Sequence, residues 1–223
     1  MAKVSKVIIR TDIDPDSPRN WDNLGKIVAF HRRYTIGDTH NYTNTCEFFD
    51  ALLEKKDEIR CKQEGVDLIE SRYANDIWLE DIEPNCRGEE YNLRARHQAI
   101  VEYLSDTFVI MPVYMYDHSG ISISTAPYSC PWDSGQVGWI YVSVEDISKE
   151  FGEFTSETME KAKGVLEGEV KTYSQYLEGD VYWFEAMDEN NEIVDSCGGY
   201  YGYSFVKYEI AAMFPEAEIE FTA

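Results

Sequence analysis

Arginine is missing from the whole of residues 101 to 223, where 5 lysines stand against 23 Asp or Glu, a net −18. Residues 1 to 100 carry only −4 of the total −22. A surface so poor in cations excludes unaided binding to nucleic acid, because such binding depends on Lys and Arg displacing counterions from phosphates. A basic protein partner is the easier fit. The five cysteines, Cys46, Cys61, Cys86, Cys130 and Cys197, include no CxxC pair. Their odd number and wide spacing argue against a disulfide framework or a zinc knuckle, so a reducing cytoplasm is expected. No apolar run reaches transmembrane length, and the start, MAKVSKVIIRTD, lacks the apolar stretch of a secretory signal. Internal repeats, low-complexity tracts and linker-like breaks in composition are absent too.

What remains is an ordinary globular composition: 223 residues, 43% hydrophobic and 14% aromatic. That length buries a sizeable core, and one domain over residues 1–223 is the expectation. Alternation predicts a strand over Val4–Thr11, and the prolines and clustered Asp and Asn of DIDPDSPRNWDN forbid regular structure after it. KIVAFHRRY, residues 26–34, reads as a second strand. Phe49, Leu52 and Leu53 place a helix over 45–60 with a charged opposite face. Residues 61–88 read as irregular, and 90–104 as a helix with His97 on its apolar side.

FVIMPVYMY, residues 108–116, is the most apolar run and predicts an interior strand, although Pro112 demands either a bulge or an unpaired side there. Two further strands, 121–125 and 137–143, bracket the loop APYSCPWDSGQ. Ser143-Val144-Glu145-Asp146 has the form of a capping box. Met159, Ala162, Leu166, Val170, Tyr173 and Leu177 define the longest amphipathic helix. A hairpin over 180–196 turns at Asp188-Glu189-Asn190-Asn191, followed by a Gly and Tyr loop, CGGYYGY, and a last helix over 204–214. The fold class expected is α+β, with a mixed or antiparallel sheet packed by about four helices.

The densest unusual chemistry lies between Asp117 and Gly138. A Cys130 nucleophile, with His118 as base and Asp117 or Asp133 as orienter, would meet the need to deprotonate a thiol before it attacks. The bland alternative is a small buried cysteine and a turn histidine, and the spacing matches no protease signature. Asp12, Asp14, Asp16 and Asp22 offer oxygen ligands, but prolines at 15 and 18, no turn glycine and no closing glutamate argue against calcium. No metal and no cofactor is expected. His31-Arg32-Arg33 is the one compact basic cluster, able to clamp an anion or to pair with carboxylates. The acidic half is open to two readings, a solubilising surface or a binding face. For the second, Glu157, Glu160, Glu167 and Glu169 on the long helix, with Glu178, Asp188 and Glu189, are the expected contacts.

The segments PRNWDNLGKIVAFHRRYTIGD, YDHSGISISTAPYSCPWDSGQVGWIYVS, YLEGDVYWF and DSCGGYYG together resemble a family of acidic proteins encoded by bacteriophages and other mobile elements. The resemblance spans most of the chain, and with no activity established for that family it brings no catalytic residue. It implies an early-acting accessory protein that counters host defence in the host cytoplasm. The function expected from it is inhibition, of the anti-CRISPR or anti-restriction type, by a carboxylate surface standing in for nucleic acid in a basic channel of a defence complex. The alternatives are a Cys130 and His118 hydrolase acting on a nucleotide signal or a protein modification, and an assembly protein of the particle.

Overall fold

The computed structural model describes residues 3–64 and 89–222, and the remainder of the segment read as irregular lies outside them. In chain order the elements are β1 (Lys6–Thr11), β2 (Lys26–Ala29), α1 (Thr45–Glu64), α2 (Glu89–Tyr103), β3 (Phe108–Asp117), β4 (Ile121–Ser124) and β5 (Ser134–Ser143). Then follow α3 (Val144–Phe151), α4 (Ser156–Glu178), β6 (Val181–Met187), β7 (Ile193–Tyr201), α5 (Tyr203–Met213) and β8 (Glu218–Thr222). The protein is therefore α+β, with five α-helices among the described residues and two four-stranded sheets, ordered β7-β6-β1-β8 and β2-β5-β3-β4. No helix of the described residues is long and apolar enough to cross a membrane.

Helix starts follow their local chemistry. Asn44 caps α1 by accepting the Glu47 N–H (3.1 Å), while the Glu47 carboxylate reaches back to the Thr43 N–H (2.8 Å). Thr155 and Thr158 exchange backbone-to-hydroxyl bonds at the start of α4. At α3 the expected box is formed, with the Asp146 N–H donating to Ser143 Oγ (3.0 Å) and that hydroxyl donating to the Asp146 carboxylate (2.6 Å). Four stretches differ from expectation, among them β2, which ends at Ala29, and α1, which runs on to Glu64. CGGYYGY is mostly strand, because β7 continues to Tyr201, and the short β8 was not foreseen.

The chain divides into two compact units. The first comprises Met1–Asn23, Val113–Gln136 and Glu167–Ala223. In it β1 pairs antiparallel with β6 and parallel with β8, and β6 pairs antiparallel with β7. One side of this sheet packs on α5, where Val7, Ile9, Phe184, Ala186, Val206 and Ile210 form the core. The other side carries ion pairs, Lys6 with Glu220 (2.8 Å) and Arg10 with Glu185 (3.3 Å).

The second unit comprises Leu24–Pro112 and Val137–Leu166. Here β2 pairs antiparallel with β5, from Lys26 opposite Tyr141 to Ala29 opposite Gly138. A Cβ at Gly138 would lie 2.0 Å from the Val28 carbonyl oxygen, so this strand pair closes only around glycine. Phe48, Phe49, Leu52 and Leu53 of α1, Ile100 of α2 and Leu104 just after it bury against Val28, Phe108, Ile110 and Trp139. Residue 112 needs no bulge on the β4 side, since β4 reaches only Tyr114–Asp117 and stops short of the proline.

Candidate functional site

Asp117 ends β3, and the turn His118-Ser119-Gly120 leads into β4, with Ser119 in the left-handed region (φ 61°) and the His118 N–H on the Gly120 carbonyl (3.1 Å). After β4 the chain loops through Pro127 and Pro131 and returns beside this turn, where the Asp117 N–H donates to the Asp133 carbonyl (2.8 Å). The Ser134 hydroxyl closes the loop on the Cys130 carbonyl. Backbone bonds thus bring Cys130, Asp133 and His118 to one corner.

Their order is specific. The Cys130 thiol donates to Asp133 Oδ2 (3.8 Å), and His118 Nδ1 lies 3.4 Å from the same oxygen. The carboxylate therefore stands between imidazole and thiol, whereas nucleophilic activation needs the imidazole between the other two. The His118 and Asp133 side chains are 63% and 41% exposed, so water reaches the cluster freely. Asp117 joins this corner through its main chain.

Sequence reasoning missed the rings beneath. Tyr116 stacks between His118 (5.9 Å between centroids) and Tyr128 (5.5 Å), a ladder foreshadowed only by the period of two that sets Tyr116 and His118 on one face. Burial raises the Tyr128 phenol above its ordinary value, against a hydrogen bond with Ser122. Trp132 at the loop tip is 91% exposed.

The acidic residues expected to contact a partner occupy varied settings. Glu157 pairs with Lys161 (2.7 Å) and Glu160 with Lys163 (2.7 Å), both on the surface of α4. Glu169 is nearly buried in an ion pair with Arg19 (3.0 Å). Glu178 accepts the Ser174 hydroxyl (2.7 Å), which itself receives the Ile123 N–H of β4 (2.9 Å). Asp188 accepts the N–H groups of Asn190 (2.8 Å) and Glu192 (3.0 Å), and those bonds to the 192 and 190 backbone lower its pKa. Glu167 and Glu189 are exposed without such ties.

Among the remaining candidates, the Asp12 carboxylate accepts the Asp14 N–H (3.1 Å), and the Tyr201 hydroxyl donates to the Asp16 carbonyl, which anchors the acidic loop to β7. Among the described residues no three His, Cys, Asp or Glu side chains gather closely enough to hold a metal. His31 stacks on Tyr34 (5.1 Å), and Arg33 lies over the same ring (5.2 Å). His97 packs against Phe49 (5.2 Å) and Trp139 (6.0 Å), where burial lowers its pKa. Comparison with protein-family models, with curated proteins and with solved structures finds no match to this chain.

Proposed function

We propose that this chain is a phage-type accessory protein that binds and inhibits a host defence complex through a basic surface of the target. One observation carries the reading. The first unit holds 6 Lys or Arg against 19 Asp or Glu, a net −13. Its six cations include Lys3, Lys6, Arg10 and Arg19, each engaged with a glutamate, so acids outnumber cations about threefold across the unit. Such a surface repels nucleic acid and attracts the groove that nucleic acid would fill. Of the expected contacts, Glu167 and Glu178 on α4 and Asp188 and Glu189 after β6 belong to this unit, Glu169 supports them from its pair with Arg19, and Glu157 and Glu160 belong to the second unit. The single domain expected from the sequence belongs to the same reading, since β3, β5 and α4 each give residues to both units.

Affinity capture from host lysate at low and high salt tests the proposal. The expected result is a nucleic-acid-binding complex that is retained near 50 mM salt, is released steeply by 200 mM, and loses activity when the protein is added back. A complex indifferent to salt, or one whose activity is untouched, overturns it.

The second reading, a hydrolase acting on a nucleotide signal or a protein modification, draws on the nearness of Cys130, Asp133 and His118 and requires the imidazole to replace the carboxylate beside the thiol. Iodoacetamide labelling separates the two. An activated Cys130 reacts faster than a free thiol at neutral pH, and an ordinary rate removes the hydrolase.

A further inference from the structure

Eleven large hydrophobic side chains are exposed among the described residues, and seven of them lie between Ile193 and Phe221. They centre on α5, whose sequence YSFVKYEIAAM carries one lysine and one glutamate. Val206 and Ile210 supply its buried side. On the outside, Phe205 is 54% and Tyr208 72% exposed, and Met213 at the end of the helix is exposed as well. A helix apolar on both sides is at rest only when both are covered. Exposed patches of this kind mark interaction sites.

The sheet continues the same surface. Cross-strand register sets Cys197 opposite Phe184 and Asp195 opposite Ala186, so both β7 residues share the side of the sheet that holds α5. Phe205 meets the ring of Tyr200 on β7 (6.4 Å). Glu209 lies one turn from Phe205 and makes no ion pair or hydrogen bond among the described residues. The Tyr200 phenol, pushed up to about 12 chiefly by burial and then by Cys197, also feels the carboxylates of Glu209 and Asp195. An aromatic floor between two carboxylates results, with Lys207 the one cation in residues 193–222.

We propose that this face of α5 and β7 is a docking surface for an amphipathic basic helix of a partner protein, its apolar stripe on Phe205 and Tyr208 and its Lys or Arg side chains on Glu209 and Asp195. Charge selects the occupant. A second copy would set Asp195 and Glu209 against their own duplicates on a chain of net −22. An added strand is disfavoured, because the pairing of β6 with β7 is broken between Tyr182 and Phe184 and again between Ala186 and Met187. The length of α5, 11 residues or about 16 Å, suits three turns of a crossing helix. This inference rests on the proposed binding function and adds an apolar face to its acidic contacts.

The probe is a fluorescein-labelled leucine–lysine peptide, LKKLLKLLKKLLKL, titrated into the full chain and followed by anisotropy. Replacing both rings (Phe205→Ser with Tyr208→Ser) leaves every charge in place and is expected to weaken binding at least tenfold. Asp195→Asn with Glu209→Gln is expected to weaken it several-fold and to flatten its salt dependence. Glu150→Gln with Glu153→Gln, which removes the same charge at two exposed positions elsewhere, is expected to stay within twofold. Undiminished binding by the serine variant overturns the proposal, since net charge alone would then hold the peptide. So does a wild-type dimer in sedimentation that the serine variant dissociates. Tyr208→Ser alone, at the most exposed of these positions, serves if circular dichroism shows the double variant misfolded. Inhibition of a defence complex that survives the serine changes removes this face but keeps the proposed function. Peptide binding that needs both rings, in a protein that inhibits nothing, does the reverse.

Discussion

The two units bury their aromatic residues to different degrees. In the second, Phe48, Phe49, Phe108 and Trp139 share a core of ten buried residues supplied by α1, α2 and three strands. In the first, the cluster between α5 and one side of the sheet holds six buried residues, Val113, Met115, Ile123, Val170, Tyr173 and Val181 are buried elsewhere in the unit, and Phe205, Tyr208 and Phe221 remain exposed. Charge divides the same way, net −13 on the first unit and −9 on the larger second. Core completeness is thus separable from hydrophobic content. Stability should concentrate where rings are enclosed, and binding where they are not.

The hardest test of that contrast is truncation at matching depth. Phe49 is 1% exposed and meets Phe48, His97 and Trp139 at centroid distances of 5.1 to 5.2 Å. Phe49→Ala is expected to cost about 3–5 kcal/mol in urea unfolding. Ile210→Ala, fully buried under α5, is expected to cost about 2–3 kcal/mol, low in the usual range because a single helix can settle into the space. Equal losses would mean that the smaller core is as tightly determined as the larger.

Much of this was legible in the sequence, wherever period and capping agreed. The strand 108–116, the long helix through Leu177 and the Ser143 box all follow from local pattern. Local pattern failed where distant partners decide. KIVAFHRRY reads as one strand, yet β2 ends at Ala29, and the loop beyond it bends back so that Gly37 bridges to Val28. CGGYYGY looked like a loop for its glycines, but β6 pairs it to Tyr201 and absorbs them as a register shift with Gly199 at φ 78°. Lys56 and Asp57 of α1 are 5% and 2% exposed although charged, because a buried stripe continues past Leu53. The Cys130, Asp133 and His118 cluster was legible as proximity. Its order was not, since that depends on one backbone bond from residue 117 to residue 133.

A smaller effect is expected from the ion pair in the better-enclosed unit. Lys56 donates to both carboxylate oxygens of Asp106 (2.9 and 3.0 Å) and to the Tyr103 carbonyl, and lies over the Tyr103 ring (3.9 Å). Burial opposes charge on Asp106, but hydrogen bonds from Lys56 and Thr107 outweigh it and leave the pKa below the usual 3.8. A depressed carboxylate pKa stabilises the fold above the unfolded value and loses that contribution as pH falls through the folded one. Asp106→Asn is therefore expected to cost about 1 kcal/mol at pH 7 and nothing extra once the pH has fallen through the lowered folded value, modest because the Asp106 side chain is 68% exposed. In the first unit, Glu216→Gln opposite the open Lys3 should leave the denaturation midpoint unmoved. A pH-independent difference between wild type and Asp106→Asn would remove the pair from the account of stability.

The smallest expected change is the most informative about the open face. Tyr208 is 72% exposed, so Tyr208→Ser removes an aromatic ring that already stands in water. In an ordinary helix such an exchange shifts stability within about 0.5 kcal/mol, and that is the expectation in thermal unfolding of the isolated protein. The same substitution should reduce the binding of a hydrophobic dye, because it shrinks the exposed apolar patch. A loss of 2 kcal/mol or more would show that Tyr208 is enclosed within this chain in solution. The contrast between an enclosed second unit and an open first one would then fall, since the ring offered for docking would already be in use.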